Sequence, residues 1–203
     1  MDINEIRISA SGCVNCVSRA YTVCDFLDEQ KFLFNKGANI LYGDIDSGIF
    51  GISYLISMYE KIDKRNLMSF QLPLEATVNG EKMPISELAK YSCYIDSSYN
   101  LYSTKRTVRE QVTKGLKHSK LSYNADEICE IFRMEKFRFD SPLKATGNER
   151  YQAMAAIGFS YGKQVFCFPW LSKTRYENFK VRIPFLLDVL ASYGKISILP
   201  LGM

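Results

Sequence analysis

Histidine is almost missing from this sequence: its 203 residues carry one, His118, in the polar stretch LKHSKLS. A lone histidine in such a context is a surface residue, and it leaves Ser-His and Cys-His nucleophilic catalysis without a well-placed base. A complete zinc pattern is missing too. Cys13-x-x-Cys16 is half of one, but no second Cys/His pair follows at a ligand-like spacing. The six cysteines, Cys13, Cys16, Cys24, Cys93, Cys129 and Cys167, therefore read as reduced structural thiols, with a metal or redox site as the lesser alternative. No basic block or low-complexity stretch stands out. A net charge of +4 and a pI of about 8.6 are too mild to argue for nucleic acid. No apolar run approaches transmembrane length, and the opening MDINEIRISASG has acidic residues but no apolar h-region. These absences lead to the expectation of a cytoplasmic protein, with docking to a membrane protein left open.

What is present is ordinary for a soluble globular chain, with 47% hydrophobic and 24% charged residues. The length suits one domain, or one domain with a subdomain. Short strands are predicted at Ile6 to Ser9, Phe32 to Phe34 and Asn39 to Tyr42. Apolar residues at Ile52, Leu55, Ile56 and Tyr59 recur at helical spacing. Asn79-Gly80 marks a turn, and Tyr91 to Ile95 reads as a strand. Between Tyr99 and Pro142 lies a charge-rich stretch with helical patterning, for instance Ala125 to Phe132. ERYQAMAAIGFSYG is a helix ending near Gly162, and Gln164 to Phe168 an apolar strand. A second amphipathic helix runs from about Tyr176 to Tyr193, with Pro184 as a kink or restart and Gly194 as a stop, before KISILPL closes as a strand. Strands alternating with helices argue for an α/β domain with a mainly parallel buried sheet.

One short stretch carries the chemical question. GDIDSGIFGIS, Gly43 to Ser53, follows the apolar strand and leads into a helix, as does the phosphate-binding loop G-x-x-x-x-G-K-[ST]. Such a loop cradles phosphate with backbone N–H groups, adds a lysine charge, and holds Mg²⁺ with a hydroxyl. After Gly43 and Gly48 the two chemical positions here are Ile49 and Phe50, which supply neither charge nor metal ligand. Asp44 and Asp46 would repel a triphosphate. The glycines then serve the turn alone.

The order of these elements resembles the nucleotide-binding domain of ABC transporters. LDEQKFLFNKGANILYG, Leu27 to Gly43, looks like the family's approach to its phosphate loop, and counting back from Gly37 places Tyr21 where the family stacks an aromatic ring on adenine. Tyr21 has two readings, stacking and ordinary packing. Val78 to Val112 looks like the run through the glutamine loop into the helical subdomain, with Thr107-Val108-Arg109-Glu110 matching a common family phrase. Ala145-Thr146-Gly147-Asn148-Glu149 sits at the signature loop LSGGE. Continuing without a gap, the family's Asp-Glu pair falls on Pro169-Trp170, the following aspartate on Tyr176 and the switch histidine on Gly202. The glutamine falls on Ser97, or on Asp96 with a one-residue slip.

The resemblance implies a P-loop NTPase-like ABC ATPase core with a mainly parallel sheet, an N-terminal antiparallel β part and a small helical subdomain. It implies one domain over 1–203, with 1–96 and 148–203 as the α/β core and 97–147 as the helical subdomain. Simultaneous loss of lysine, metal ligands, base and histidine leaves nothing to stabilise phosphoryl transfer. The expectation is therefore an inactive, pseudo-ATPase subunit with no metal site, binding ATP and Mg²⁺ weakly at most. Its expected partners are an ABC-type ATPase subunit, a transporter membrane subunit at the inner face of the plasma membrane, or both. A homodimeric, non-transport scaffold is the alternative. Tyr99, Leu101 and Tyr102 are expected to dock a membrane subunit, or else to pack the helical lobe. In the signature-like loop Thr146, Gly147, Asn148 and Glu149 would contact a partner's nucleotide, and Thr146 also reads as a helix cap.

Overall fold

The computed structural model describes residues 1–14, 24–43, 49–58, 74–96 and 102–202. Alternation builds the first sheet. In β1 (Glu5–Val14), Ile6, Ile8 and Ala10 are buried while Arg7 points to solvent. β2 (Cys24–Asn35) pairs antiparallel with β1, with Ile6 opposite Phe34. After β3 (Gly37–Tyr42) and α1 (Ile49–Met58), the chain returns to the first sheet as β4 (Leu74–Val78) and β5 (Glu81–Met83), in the order β2-β1-β4-β5. Asn79 and Gly80 both have positive φ, 51° and 85°, the geometry a tight hairpin needs and Asn-Gly favours.

A short helix, α2 (Ile85–Tyr91), then enters β6 (Ser92–Tyr94). The expected strand from Tyr91 is thus shorter, because Tyr91 closes a helix that the sequence reading did not anticipate. The charge-rich stretch forms α3 (Val108–Ser119), α4 (Ala125–Ile131) and α5 (Lys136–Phe139). Thr107-Val108-Arg109-Glu110 is a helix start: the Thr107 side chain accepts from the Glu110 N–H, and the Glu110 carboxylate accepts from the Thr107 N–H. Asn124 and Glu127 do the same for α4.

α6 (Arg150–Ser160), β7 (Val165–Cys167), α7 (Lys173–Asn178), α8 (Arg182–Ser192) and β8 (Ile196–Leu201) complete the chain. The expected helix from Tyr176 is two helices. Pro184 restarts the second, sitting in the first turn where its missing N–H leaves no helical bond unmade.

β3, β8, β7 and β6 form a second sheet, parallel throughout and in that order. Its two faces bury different cores. Cys167, Ile196 and Ile198 face α1 and the antiparallel sheet, joining Ile6, Phe34, Ile52 and Leu55. Phe166 and Leu199 face the other way, joining Val112, Phe132, Phe159, Leu186 and Leu190 from the helices. The helices of the charge-rich stretch therefore share one apolar core with α6, α8 and the parallel sheet. At their crossing, Gly115 lets α3 approach α6, since a Cβ there would meet Ser160 and lie 2.8 Å from the Tyr161 ring.

Candidate functional site

Parallel strands end together, and in open α/β sheets ligands enter beyond their carboxyl ends. Here those ends bring together Gly43 after β3, Phe168-Pro169-Trp170 after β7, Gly202 after β8 and Asp96 after β6. Three of these sequence-derived motif positions, Gly43, Trp170 and Gly202, are in contact. The indole N–H of Trp170 donates to the Gly43 carbonyl at 3.1 Å. Gly202 is buried beneath the same ring, and a Cβ on it would lie 2.6 Å from Trp170 Cζ2.

The surrounding backbone is tied down. The Gly43 N–H donates to Leu201, Phe168 to Ile198, Leu171 to Pro200 and Gly202 to Leu171, at 2.8 to 3.1 Å. From the fifth residue of α1, the buried Ser53 hydroxyl donates to the Phe168 carbonyl at 2.6 Å. Pro169 is buried and supplies no donor. Ile49 and Phe50 open α1. Gly48, Asp44, Asp46, Tyr21, Ser97, Tyr99 and Leu101 lie outside the described residues. Among the described residues, no three His, Cys, Asp or Glu side chains converge as a metal site would require. At the described motif positions Pro169, Trp170 and Gly202, a proline, an indole and a glycine offer neither the carboxylates nor the imidazole that a magnesium–nucleotide would meet there.

Of the residues expected to dock or to contact a partner, Tyr102 and Thr146 face inward. Tyr102 is 6% exposed and its hydroxyl donates to the Tyr94 carbonyl at 3.2 Å, so it packs the core instead of offering an outward anchor. Burial also pushes its phenol well above the ordinary value. Thr146 is fully buried and its hydroxyl donates to the Leu143 carbonyl at 2.8 Å. It neither caps α6 nor faces outward, because the chain reaches α6 through two 3-10 turns, Leu143–Ala145 and Gly147–Glu149, that turn the side chain back.

Gly147 and Asn148 remain exposed. Gly147 has φ +57° with open space where a Cβ would stand. Glu149 does not face a partner; it is a buried hub. Its carboxylate accepts from Arg138 at 3.0 Å and from the Glu135 N–H at 3.1 Å, with Arg182 at 4.0 Å. Arg138 also donates to Asn148, and Arg182 to Gln152. Sequence reasoning missed this clamp, because arginines before and well after the loop carry no local signal of converging on it.

No family model matches the sequence, and comparison with curated proteins finds no match. Solved structures do match. An ABC transporter ATP-binding protein from Pyrococcus furiosus superposes with a TM-score of 0.61 at 15% identity, covering 96% of this chain and 90% of that one. cbiO1 from Clostridium perfringens, part of the ABC transporter complex cbiONQ, gives 0.60 at 14% identity over 100% and 79%. A bacterial Atm1-family ABC exporter with ATP bound gives 0.59 at 10% identity over 98% and 35%. The chain therefore has the fold of ABC transporter ATP-binding proteins.

Proposed function

We propose that this chain is a catalytically inactive ABC-type subunit that pairs with an active ATP-binding subunit, a membrane permease, or both. The observation that carries this reading is the carboxyl edge of the parallel sheet. There Pro169, Trp170 and Gly202 stand where the resemblance puts a metal ligand, a base and an imidazole, and Trp170 instead bridges to Gly43 over Gly202. Loss of one group leaves room for a variant mechanism, whereas loss of all of them removes charge stabilisation of the transition state. Binding of Mg-ATP is then weak or absent. No described helix is long and apolar enough to cross a membrane. The proposed location is cytoplasmic, at the inner face of the membrane through a permease.

Co-purification and nucleotide titration test this. An intact ATPase or a permease recovered with the chain, and no ATP turnover by the chain alone, are the expected results. Calorimetry showing micromolar, Mg-dependent ATP affinity with turnover would overturn it.

A second reading, a homodimeric scaffold, rests on β3. This strand ends the parallel sheet, and its outward Ile40 and Tyr42 are 38% and 63% exposed. An apolar edge strand is a surface to which another chain can add. A stable homodimer without transporter components would favour this second reading.

A further inference from the structure

The carboxyl edge of the parallel sheet is filled as well as stripped of charge. Trp170 leaves β7 and lays its indole across the ends of β3 and β8, donating to Gly43 and resting on Gly202. The φ of Gly202 is not positive, so its backbone does not demand glycine. The indole does, since Cζ2, Cε2 and Cη2 would stand 2.6, 3.2 and 3.3 Å from a Cβ. Both flanks of Trp170 are held by backbone hydrogen bonds, Phe168 to Ile198 and Leu171 to Pro200, so the ring sits on a fixed support. A half-buried tryptophan with its N–H satisfied and its ring against a glycine is a packed side chain.

We propose that Trp170 is a built-in plug: its indole, seated between Gly43 and Gly202, occupies the crevice where a phosphate-bearing ligand would enter. This deepens the reading of the chain as an inactive subunit and rests on it. Nucleotide is excluded by occupation in addition to the missing charges, and the three strand ends are held in one arrangement without any ligand.

Trp170 is the only tryptophan in the sequence, so intrinsic fluorescence of the full chain reports the plug alone. Its emission should be blue-shifted and quenched by acrylamide less steeply than free tryptophan. Neither property should change on adding Mg-ATP or inorganic phosphate. Gly202→Ala should push the ring out, giving a red shift and several-fold steeper quenching. A wild-type emission that shifts with either probe overturns the plug, as does a folded Gly202→Ala chain with unchanged emission and quenching. Should Gly202→Ala fail to fold, the wild-type titration decides alone. Turnover of ATP by the chain overturns the inactive-subunit reading, whereas an inert chain with a freely quenched indole overturns only the plug.

Discussion

Cys93 and Cys167 lie on the neighbouring strands β6 and β7, yet they cannot join. Cys93 stands opposite Phe166 and Cys167 opposite Tyr94, so the two thiols project to opposite faces of the sheet. Both are buried and free. Burial pushes Cys93 up to about 12 from an ordinary 9.0, a rise that nearby Lys163 only partly opposes, and it raises Cys167 likewise. The folded values are therefore raised above the unfolded ones. Below 9.0 both states keep their protons; as pH rises from 9.0 towards 12 the unfolded thiols ionise first and stability falls. Thermal melts across that window should show the loss, and a Cys93→Ala, Cys167→Ala chain should show a flatter pH dependence whatever its absolute stability. Equal slopes for both chains would refute the assignment. The same scale governs repair of the nucleotide site. Ile49→Lys should leave phosphate release at background, because Pro169, Trp170 and Gly202 remain and a phosphoryl-transfer site acts as a unit. Substantial turnover from that one change would show that the remaining machinery lies elsewhere.

Among the elements, α6 carries the strongest constraints, since α3 crosses it at Gly115 and the signature-like loop is clamped at its start. Gly115→Ala should destabilise the chain by about 1–3 kcal/mol, because the added methyl meets Ser160 and the Tyr161 ring within a packed core. A urea midpoint equal to that of the unaltered chain would contradict this crossing. Glu149→Ala should cost about 3 kcal/mol in the same measurement, since it strips Arg138 of its buried partner carboxylate. Both features bear on how much could be read beforehand. α1 was legible from the helical spacing of its apolar residues, β3, β7 and β8 were legible as short apolar runs, and Asn79-Gly80 was legible because few residue pairs suit that turn. α2 escaped: it has seven residues, and its last, Tyr91, begins an apolar run that reads equally well as strand. Thr146 was legible as a hydroxyl in the right loop, but the direction of its side chain depends on two 3-10 turns with no sequence signature. Trp170 and Gly202 each read as a loss, and only the strand register shows that they form a contact.

For the whole molecule the question is what an inert chain contributes to an assembly. If the chain pairs head to tail with an active subunit, the outward groups of its signature-like loop are Gly147 and Asn148, since Thr146 and Glu149 are engaged inside. Their contribution can be tested by charge without disturbing the fold. Asn148 accepts from Arg138, and a carboxylate of the same size would accept that bond at least as well. Asn148→Asp should therefore leave the chain's melting temperature unchanged or raised. A partner's phosphates, however, would meet a negative charge instead of a neutral amide. An active partner is expected to hydrolyse ATP faster in the mixed complex than alone, and Asn148→Asp should remove most of that gain while both chains still co-elute. Raising the salt concentration should restore part of it if the loss is electrostatic. A partner whose rate ignores both the presence of this chain and the substitution would leave the loop without a role in the partner's site. The exposed edge of β3 would then be the surface by which the fold is used, and the oligomeric state of the chain alone would become the decisive measurement.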